Sequence, residues 1–293
     1  PENLGFLEEL RALFEQYPGA ASLGEISSED SLATMAEYTS GNRLHMGYSF
    51  ELLTDHFSAR HIRATVESLE ARIGAGWPCW SLSNHDVRRV LTRWGGESAP
   101  RHLANLLTAL VCCLRGSVCI YQGEELGLTE ASIPFDLLQD PYGVAFWPAF
   151  KGRDGSRTPM PWTVGANAGF TSAKPWLPIP ADHVELSVQM QEADASSVLA
   201  GFRAFLRWRR DHAALQCGDI RFIDTHEAIL LFTRSHQDET IIVAFNLSQQ
   251  PLTAKLSREY RLSRFDVPGL VNGRVDGQSL DLPGYGAVFA SIA

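Results

Sequence analysis

The sequence lacks long apolar runs and carries few basic residues. None of its hydrophobic stretches reaches the roughly 18 residues that a transmembrane helix requires, so we expect no membrane-spanning segment. Lys and Arg together number 25 against 34 Asp and Glu, which gives a formal net charge of −9. Because nucleic acids and anionic membranes attract basic surfaces, this charge disfavours both as partners.

Cysteine is also scarce, and its five copies are an odd number. No CxxC pair or His-rich spacing indicates a zinc site, and we predict neither a metal nor a cofactor in this chain. Because most of the cysteines lie in apolar stretches, we expect buried free thiols, which are typical of a reducing compartment such as the cytoplasm. They are Cys79, Cys112, Cys113, Cys119 and Cys217.

What the chain does contain is an alternation of short apolar strands with helical patterns. Such strands are covered on both faces, as in a parallel α/β sheet. The predicted strands are AASLGEI, HMGYSF at 45–50, WPCWSLS and SVCIYQGEE at 117–125. The predicted helices cover residues 2–17, 65–73, 103–114 and 196–211.

The pattern changes twice further along the chain. Residues 129–180 are rich in Pro, Gly and aromatic side chains, and a loop of this length usually covers or lines a site. After Asp219 the pattern becomes all-β, with strands predicted at RFI, AILLFTR, TIIVAFN and AVFASI. We therefore predict an α/β domain over 1–215 and a β-sandwich over 219–293.

Polar residues follow two of the apolar strands at the point where each strand ends. Glu25 closes the first strand, and Asn84, His85 and Asp86 follow the third. Sites in α/β barrels lie at this edge, and paired carboxylates there suit glycoside hydrolysis. The alternative is that Glu25 and Asp86 each cap a helix N-terminus. A metal site at residues 84–86 is disfavoured, because consecutive strand residues point to opposite faces.

The long loop contains GRDGSR, which places Arg153 and Arg157 between aromatic stretches. Arginine there can grip sugar hydroxyls or keep a neighbouring carboxylate ionised. The alternative is a surface turn with solvated arginines. The nearby aromatic residues either line an acceptor pocket or pin the loop to the body; they are Phe135, Tyr142, Phe146, Trp147 and Phe150.

Only about four strand–helix units precede the β domain. A closed barrel needs eight units and roughly 250 residues. Half a barrel would leave two open strand edges, which proteins avoid. The simplest interpretation is that the sequence begins in mid-domain.

Several stretches together resemble one family. SLSNHD, LGEISSED, IYQGEELGL, LQDPYG and KGRDGSRTPMPW are similar to motifs of the α-glucosidase and oligo-1,6-glucosidase branch of the α-amylase superfamily, glycoside hydrolase family 13. The resemblance covers essentially the whole chain. It implies the C-terminal half of a (β/α)8 TIM barrel, with 129–180 as its active-site loop, followed by an all-β sandwich.

The resemblance also implies roles for single residues. Glu25 would be the general acid/base, and Asp86 would be the carboxylate that holds sugar hydroxyls and stabilises an oxocarbenium-like transition state. His85 would bind hydroxyls of the same glucose. Arg153 would fix the non-reducing glucose, and Phe50 would wall the pocket.

The family's nucleophile, an aspartate in a GFRxD-like motif, has no counterpart here. The one GFR in the sequence, at 201–203, lies in a predicted helix and is followed by Ala-Phe-Leu. The early Asn-His motif and the acidic metal-binding loop are also missing, so a structural divalent cation would belong to the N-terminal half. We expect that half to exist as a separate chain or as an upstream segment.

The predicted function is that of a retaining, exo-acting α-glucosidase or α-glucosyltransferase on small-molecule α-glucosides, active only with the other half. One alternative is a non-catalytic sugar-binding or partner subunit. Another is a sucrose or maltose isomerase of the same branch. The presence of Glu25, His85, Asp86 and Arg153 together favours an enzyme.

Overall fold

The computed structural model describes residues 2–74 and 76–292. Its first part is built on four short parallel strands, β1 Leu23–Ile26, β2 Met46–Ser49, β3 Cys79–Trp80 and β4 Ser117–Val118. β1 pairs with β2 and β3 pairs with β4, and a parallel bridge from Gly47 to Pro78 joins the two pairs. The strand order is therefore sequential and parallel, so the four carboxyl ends share one edge.

Helices connect these strands, and polar side chains fix where some of them begin. They are α1 Glu2–Phe14, α2 Ser31–Tyr38, α3 Ala59–Ile73, α4 Val90–Gly95 and α5 His102–Cys113. The Asp30 carboxylate accepts the Ala33 amide at the start of α2, and Ser58 caps α3 in the same way through His61. Four βα units in this arrangement form the C-terminal half of a (β/α)8 barrel.

After β4 the chain enters the long loop and then returns to helix. The helices of this part are α6 Pro141–Ala145, α7 Ala181–Glu185, α8 Val188–Glu192, α9 Val198–Arg210 and α10 Ala213–Cys217. The Ser197 hydroxyl caps α9 by accepting the Ala200 amide. α9 packs against α5 and so closes the helical layer of the half-barrel. Within the described ranges no helix has both the length and the apolar character needed to cross a membrane.

The C-terminal part is a sandwich of two antiparallel sheets. Its strands are β5 Asp219–Phe222, β6 Ile229–His236, β7 Glu239–Asn246, β8 Leu252–Lys255, β9 Leu262–Phe265, β10 Arg274–Asp276, β11 Ser279–Leu282 and β12 Ala287–Ile292. The larger sheet has the order β5-β6-β7-β12-β9 and the smaller has the order β10-β11-β8.

Both faces of the larger sheet are covered. Leu231, Ile242 and Val288 pack between the two sheets of the sandwich. The intervening residues, such as Phe232 and Phe245, belong to the core that also contains the helices of the half-barrel. The sandwich and the half-barrel therefore share one apolar core.

The predicted elements agree with the structure in type, and differ mainly in length. The strands predicted up to Asn84 and Glu125 end early, at Trp80 and Val118. The short helices α2 and α4 were considered only as helices that Glu25 and Asp86 could cap, without bounds, and the strands β8 to β11 were not predicted. The expectation of buried thiols is confirmed for Cys79, Cys112 and Cys113 and is wrong for Cys119 and Cys217, which are exposed.

Candidate active site

Glu25 and Tyr48 lie side by side on neighbouring parallel strands. They are register partners of β1 and β2. A Cβ atom on Gly47 would lie 3.1 Å from Met35 of α2, so Gly47 faces the helices. Because side chains alternate along a strand, Tyr48 and its partner Glu25 point away from that layer, toward the inside of the half-barrel. The Tyr48 hydroxyl donates a hydrogen bond of 2.5 Å to Oε1 of Glu25.

Asp86 lies beyond β3 and is held by two arginines of the long loop. Arg153 Nη1 and Arg157 Nη2 donate to the same carboxylate oxygen, Oδ1, at 3.0 and 2.8 Å. Arg157 Nε also donates to the His85 carbonyl at 2.7 Å. The Asp86 amide is in turn bound by Oδ1 of Asn84, at 2.8 Å. The two arginines leave the second oxygen of Asp86, Oδ2, for other partners.

The alternatives considered for these groups are wrong. Neither Glu25 nor Asp86 caps a helix, since Asp30 occupies the N-cap of α2 and Arg89 that of α4. Arg153 and Arg157 are not solvated turn residues, because only 27% and 20% of their side chains is exposed and both are paired.

Asp140 binds Arg153 on the side of the guanidinium that does not contact Asp86. Its Oδ2 accepts the Arg153 amide at 2.8 Å and Nε at 3.0 Å, and its Oδ1 accepts Nη2 at 2.9 Å. This buried, bidentate pair lowers the pKa of Asp140 to about 2, mainly through the hydrogen bonds from Arg153. The same bonds raise the pKa of Arg153. The guanidinium is thus fixed on one side while Nη1 reaches Asp86.

The two motifs LQDPYG and GRDGSR are tied to each other at the base of the loop. The buried Asp154 accepts the amides of Gln139 and Asp140 through Oδ2, at 2.6 and 2.9 Å. Gly143 and Gly152 meet back to back, since a Cβ on Gly152 would lie 2.8 Å from the Gly143 Cα. Gly152 also has φ +79°, a conformation that favours glycine. The segment between them therefore leaves and re-enters the fold at one point.

A buried arginine joins this loop to the half-barrel. Arg89 Nη1 donates to the Gln122 carbonyl at 2.6 Å, and Nη2 donates to the Ser156 carbonyl at 3.0 Å. Tyr121 donates to the same Ser156 carbonyl at 3.0 Å. These bonds connect the segment after β4 and the arginine loop to the start of α4.

The other two predicted site residues flank these groups. The His85 ring is 57% exposed, with Nε2 3.6 Å from Oδ1 of Asp86. Phe50 follows β2, and its ring centre lies 6.3 Å from that of Tyr48. The structure thus groups Glu25 with Phe50 around Tyr48, and His85 with Arg153 around Asp86.

The aromatic residues of the loop do not pin it to the body. The Arg153 guanidinium lies over the Tyr142 ring, 5.4 Å from its centre, and Tyr142 stacks on Phe146. All five predicted aromatics are exposed: Phe135, Tyr142, Phe146, Trp147 and Phe150. They line the outside of the loop beside the arginine that contacts Asp86.

Sequence reasoning missed three contributors to this site. Asp140 lies in a quoted motif but carried no predicted role, and Arg157 was considered without being included. Tyr48 is two residues before Phe50 in the stretch 45–50 that was predicted as a strand, and that spacing was the available signal, since alternate strand residues share one face. The pairing of Asp86 with residues about 70 positions later has no local signal.

The site contains the Glu25 carboxylate, bound by Tyr48, and the Asp86 carboxylate, bound by Arg153 and Arg157. The GFR of residues 201–203 lies in α9, where Arg203 pairs with Glu192 at the surface. Among residues 2–74 and 76–292 no cluster of three His, Cys, Asp or Glu side chains is placed to hold a metal ion.

Two family models match consecutive parts of the chain. The catalytic domain of alpha amylase matches residues 1–218, and the C-terminal domain of maltogenic amylase matches residues 220–289. A "Probable alpha-glucosidase" of Rhizobium meliloti (strain 1021) is 43% identical over all of this chain and 54% of its own length. An oligo-1,6-glucosidase of Parageobacillus thermoglucosidasius is 29% identical over 66% of this chain and 39% of its own length.

Solved structures give the same result. The crystal structure of the alpha-glucosyl transfer enzyme XgtA is 57% identical, with a TM-score of 0.97 over all of this chain and 55% of that chain. The trehalulose synthase MutB from Pseudomonas mesoacidophila MX-45 is 24% identical, with a TM-score of 0.84 over all of this chain and 59% of that chain, a likeness of fold alone. The chain spans about half the length of these proteins.

Proposed function

This chain belongs to the α-amylase family, and we propose that it forms half of the catalytic barrel of a retaining, exo-acting α-glucosidase or α-glucosyl-transferring enzyme. Its substrates would be small α-glucosides. The observation that carries the proposal is the Asp86 carboxylate, held through one oxygen by Arg153 and Arg157 at the strand edge that also bears Glu25. The predicted division at 215–219 would separate this half-barrel from the sandwich.

In this proposal Glu25 protonates the glycosidic oxygen as its bond to the anomeric carbon breaks, and later takes a proton from the incoming water or acceptor. Asp86 binds sugar hydroxyls through Oδ2 and stabilises positive charge on the ring. His85 and Arg153 hold the terminal glucose, and Phe50 walls the pocket. The nucleophile comes from the other half of the barrel.

The test of this assignment is Glu25→Gln in the complete protein, assayed with p-nitrophenyl α-glucoside. General acid–base catalysis contributes about 10²- to 10⁴-fold, so we expect a loss of that size in kcat. Glu29→Gln is the matched control, because Glu29 is exposed four residues further along the chain. A Glu25→Gln protein with the wild-type rate would contradict the assignment. Separating glucose from longer products by chromatography distinguishes hydrolysis from transfer.

The other half of the barrel would be either upstream in the same polypeptide or a second chain. Intact mass and N-terminal sequencing of the purified active protein distinguish these arrangements. A species of 32.4 kDa that is active alone would contradict the need for another half. We place the protein in the cytoplasm, which suits its free, partly exposed thiols.

A further inference from the structure

Tyr48 contacts Glu25, one of the two carboxylates that the proposed mechanism uses. Its hydroxyl donates to Oε1 of Glu25 at 2.5 Å. Asn84, whose Oδ1 binds the Asp86 amide, also affects the ionisation of the Tyr48 hydroxyl. Within the described ranges the buried Nδ2 of Asn84 has no hydrogen-bond partner of normal geometry. Tyr48 is therefore the short link from Glu25 toward the Asp86 segment.

The phenol remains a donor throughout the working pH range. Burial raises the pKa of Tyr48 above its ordinary value, and the hydrogen bond to Glu25 raises it further. The backbone supports the same geometry, because Glu25 and Tyr48 are register partners in a parallel pair of strands. Of the described residues, only Tyr48 hydrogen-bonds to the Glu25 carboxylate.

We propose that Tyr48 is a positioning residue for the acid/base Glu25, an inference that rests on the proposed function. The phenol binds Oε1 and fixes the plane of the carboxyl group. Oε2 then carries the proton that passes to the leaving glycosidic oxygen as the bond to the anomeric carbon breaks. Tyr48 keeps its own proton throughout, and its hydrogen bond stabilises the carboxylate that the transfer leaves behind.

The test compares Tyr48→Phe with wild type in the complete protein, using two substrates. Maltose has a leaving group that needs protonation, whereas the fluoride of α-glucosyl fluoride leaves without it. Hydrogen bonds to charged groups are strong, so we expect kcat/KM for maltose to fall about 10- to 100-fold while kcat/KM for the fluoride changes less than about threefold. Tyr38→Phe is the control, since among the described residues the Tyr38 hydroxyl hydrogen-bonds only to Asn3.

The ratio of the two losses is a readout that a purely structural role would not change. A general loss of structure lowers kcat/KM for maltose and for the fluoride alike, whereas a misplaced acid lowers it for maltose alone. We expect both values to stay at the wild-type level in Tyr38→Phe. Equal losses on the two substrates in Tyr48→Phe would overturn the proposal.

A measurement without turnover separates this inference from the proposed function. In protein labelled with ¹³C at tyrosine Cζ, the Tyr48 resonance is identified by its absence from Tyr48→Phe. We expect Glu25→Gln to shift that resonance, and an unchanged resonance would overturn the contact. If the resonance moves while neither substrate is turned over, the proposed function fails and takes the positioning role with it, although the contact stands.

Discussion

One oxygen of Asp86, Oδ1, accepts hydrogen bonds from both Arg153 and Arg157. The His85 ring lies 3.6 Å from the same oxygen. Two guanidinium groups on one oxygen hold the carboxylate in a single orientation, and neither of them binds its other oxygen, Oδ2. Arg157 contributes more than charge, because its Nε also binds the His85 carbonyl. Two donors at fixed spacing are a property of a guanidinium and not of an ammonium group.

We therefore expect Arg157→Lys to lower kcat/KM for p-nitrophenyl α-glucoside about 10-fold or more, because lysine cannot make both bonds. Thermal unfolding of the variant should stay close to wild type. Arg88→Lys is the control, since Arg88 is exposed and its ion pair with the exposed Glu97 is long, at 3.6 Å. If both lysine variants keep wild-type kcat/KM, the clamp on Asp86 contributes nothing to catalysis.

The placement of Glu25, His85 and Asp86 at one sheet edge could be predicted, because it depends on where short apolar strands end. Their contacts could not. The arginines reach Asp86 only because the long loop folds back over the edge, and spacing along the chain says nothing about that path. The contact between Tyr48 and Glu25 depends on the register of β1 and β2. No short turn joins these two strands, so the sequence does not determine their register.

Between residues 139 and 154 the loop is held by its own ionised groups. Asp140 is buried and accepts four hydrogen bonds, three from Arg153 and one from the Tyr142 amide. Its folded pKa, about 2, is below the ordinary value of 3.8. A carboxyl group whose pKa is lower in the folded state stabilises the folded protein at every pH above its unfolded pKa. This contribution is lost as the pH falls from about 4 to 2.

Asp140→Asn should destabilise the folded protein at neutral pH. The variant should lose little in acid, because there the wild-type carboxyl group is protonated as well. We expect the melting temperature of the variant to be below that of wild type at pH 6. The difference between the two melting temperatures should become smaller between pH 4 and pH 3, the lowest pH of the series. Melting curves followed by circular dichroism at pH 6, 5, 4 and 3 give the comparison. A difference that is constant over this range would show that the pair does not act through ionisation.

Long, periodic elements were predictable and short ones were not. α3, α5 and α9 carry clear apolar faces and lie where they were expected. α2 and α4 are too short for a strong periodic signal, and α2 depends on the cap from Asp30. β3 and β4 are only two residues long, although the apolar pattern of the sequence continues beyond both of them.

One buried arginine joins the sandwich to the half-barrel. Arg234 on β6 donates to the carbonyls of Cys113 and Leu114 at the end of α5, at 2.6 and 3.0 Å. It also donates to Leu215 of α10 and to Gly218, at 3.3 and 2.8 Å. Burial lowers the pKa of Arg234 to about 10, which still leaves it charged at neutral pH.

Arg234→Met should destabilise both parts together, because it leaves four buried carbonyls without this donor. Each unsatisfied buried group costs about 1–3 kcal/mol, so we expect the free energy of unfolding to fall by at least about 3 kcal/mol. Urea unfolding followed by tryptophan fluorescence measures it. Arg221→Met, on the exposed face of β5, is the control. Equal unfolding curves for the two variants would mean that Arg234 does not connect the two parts.

Gly143 and Gly152 contact each other, so the segment between them is a loop whose two ends are held together. Residues 144–151 can lengthen, shorten or change in character while the chain returns to the same point, so Arg153 keeps its place. Changes in the exposed surface of this segment therefore need not disturb the contacts that Arg153 makes with Asp86 and Asp140. The glycine contact thus separates a part of the loop that is free to change in length from a part whose position the Asp86 contacts require.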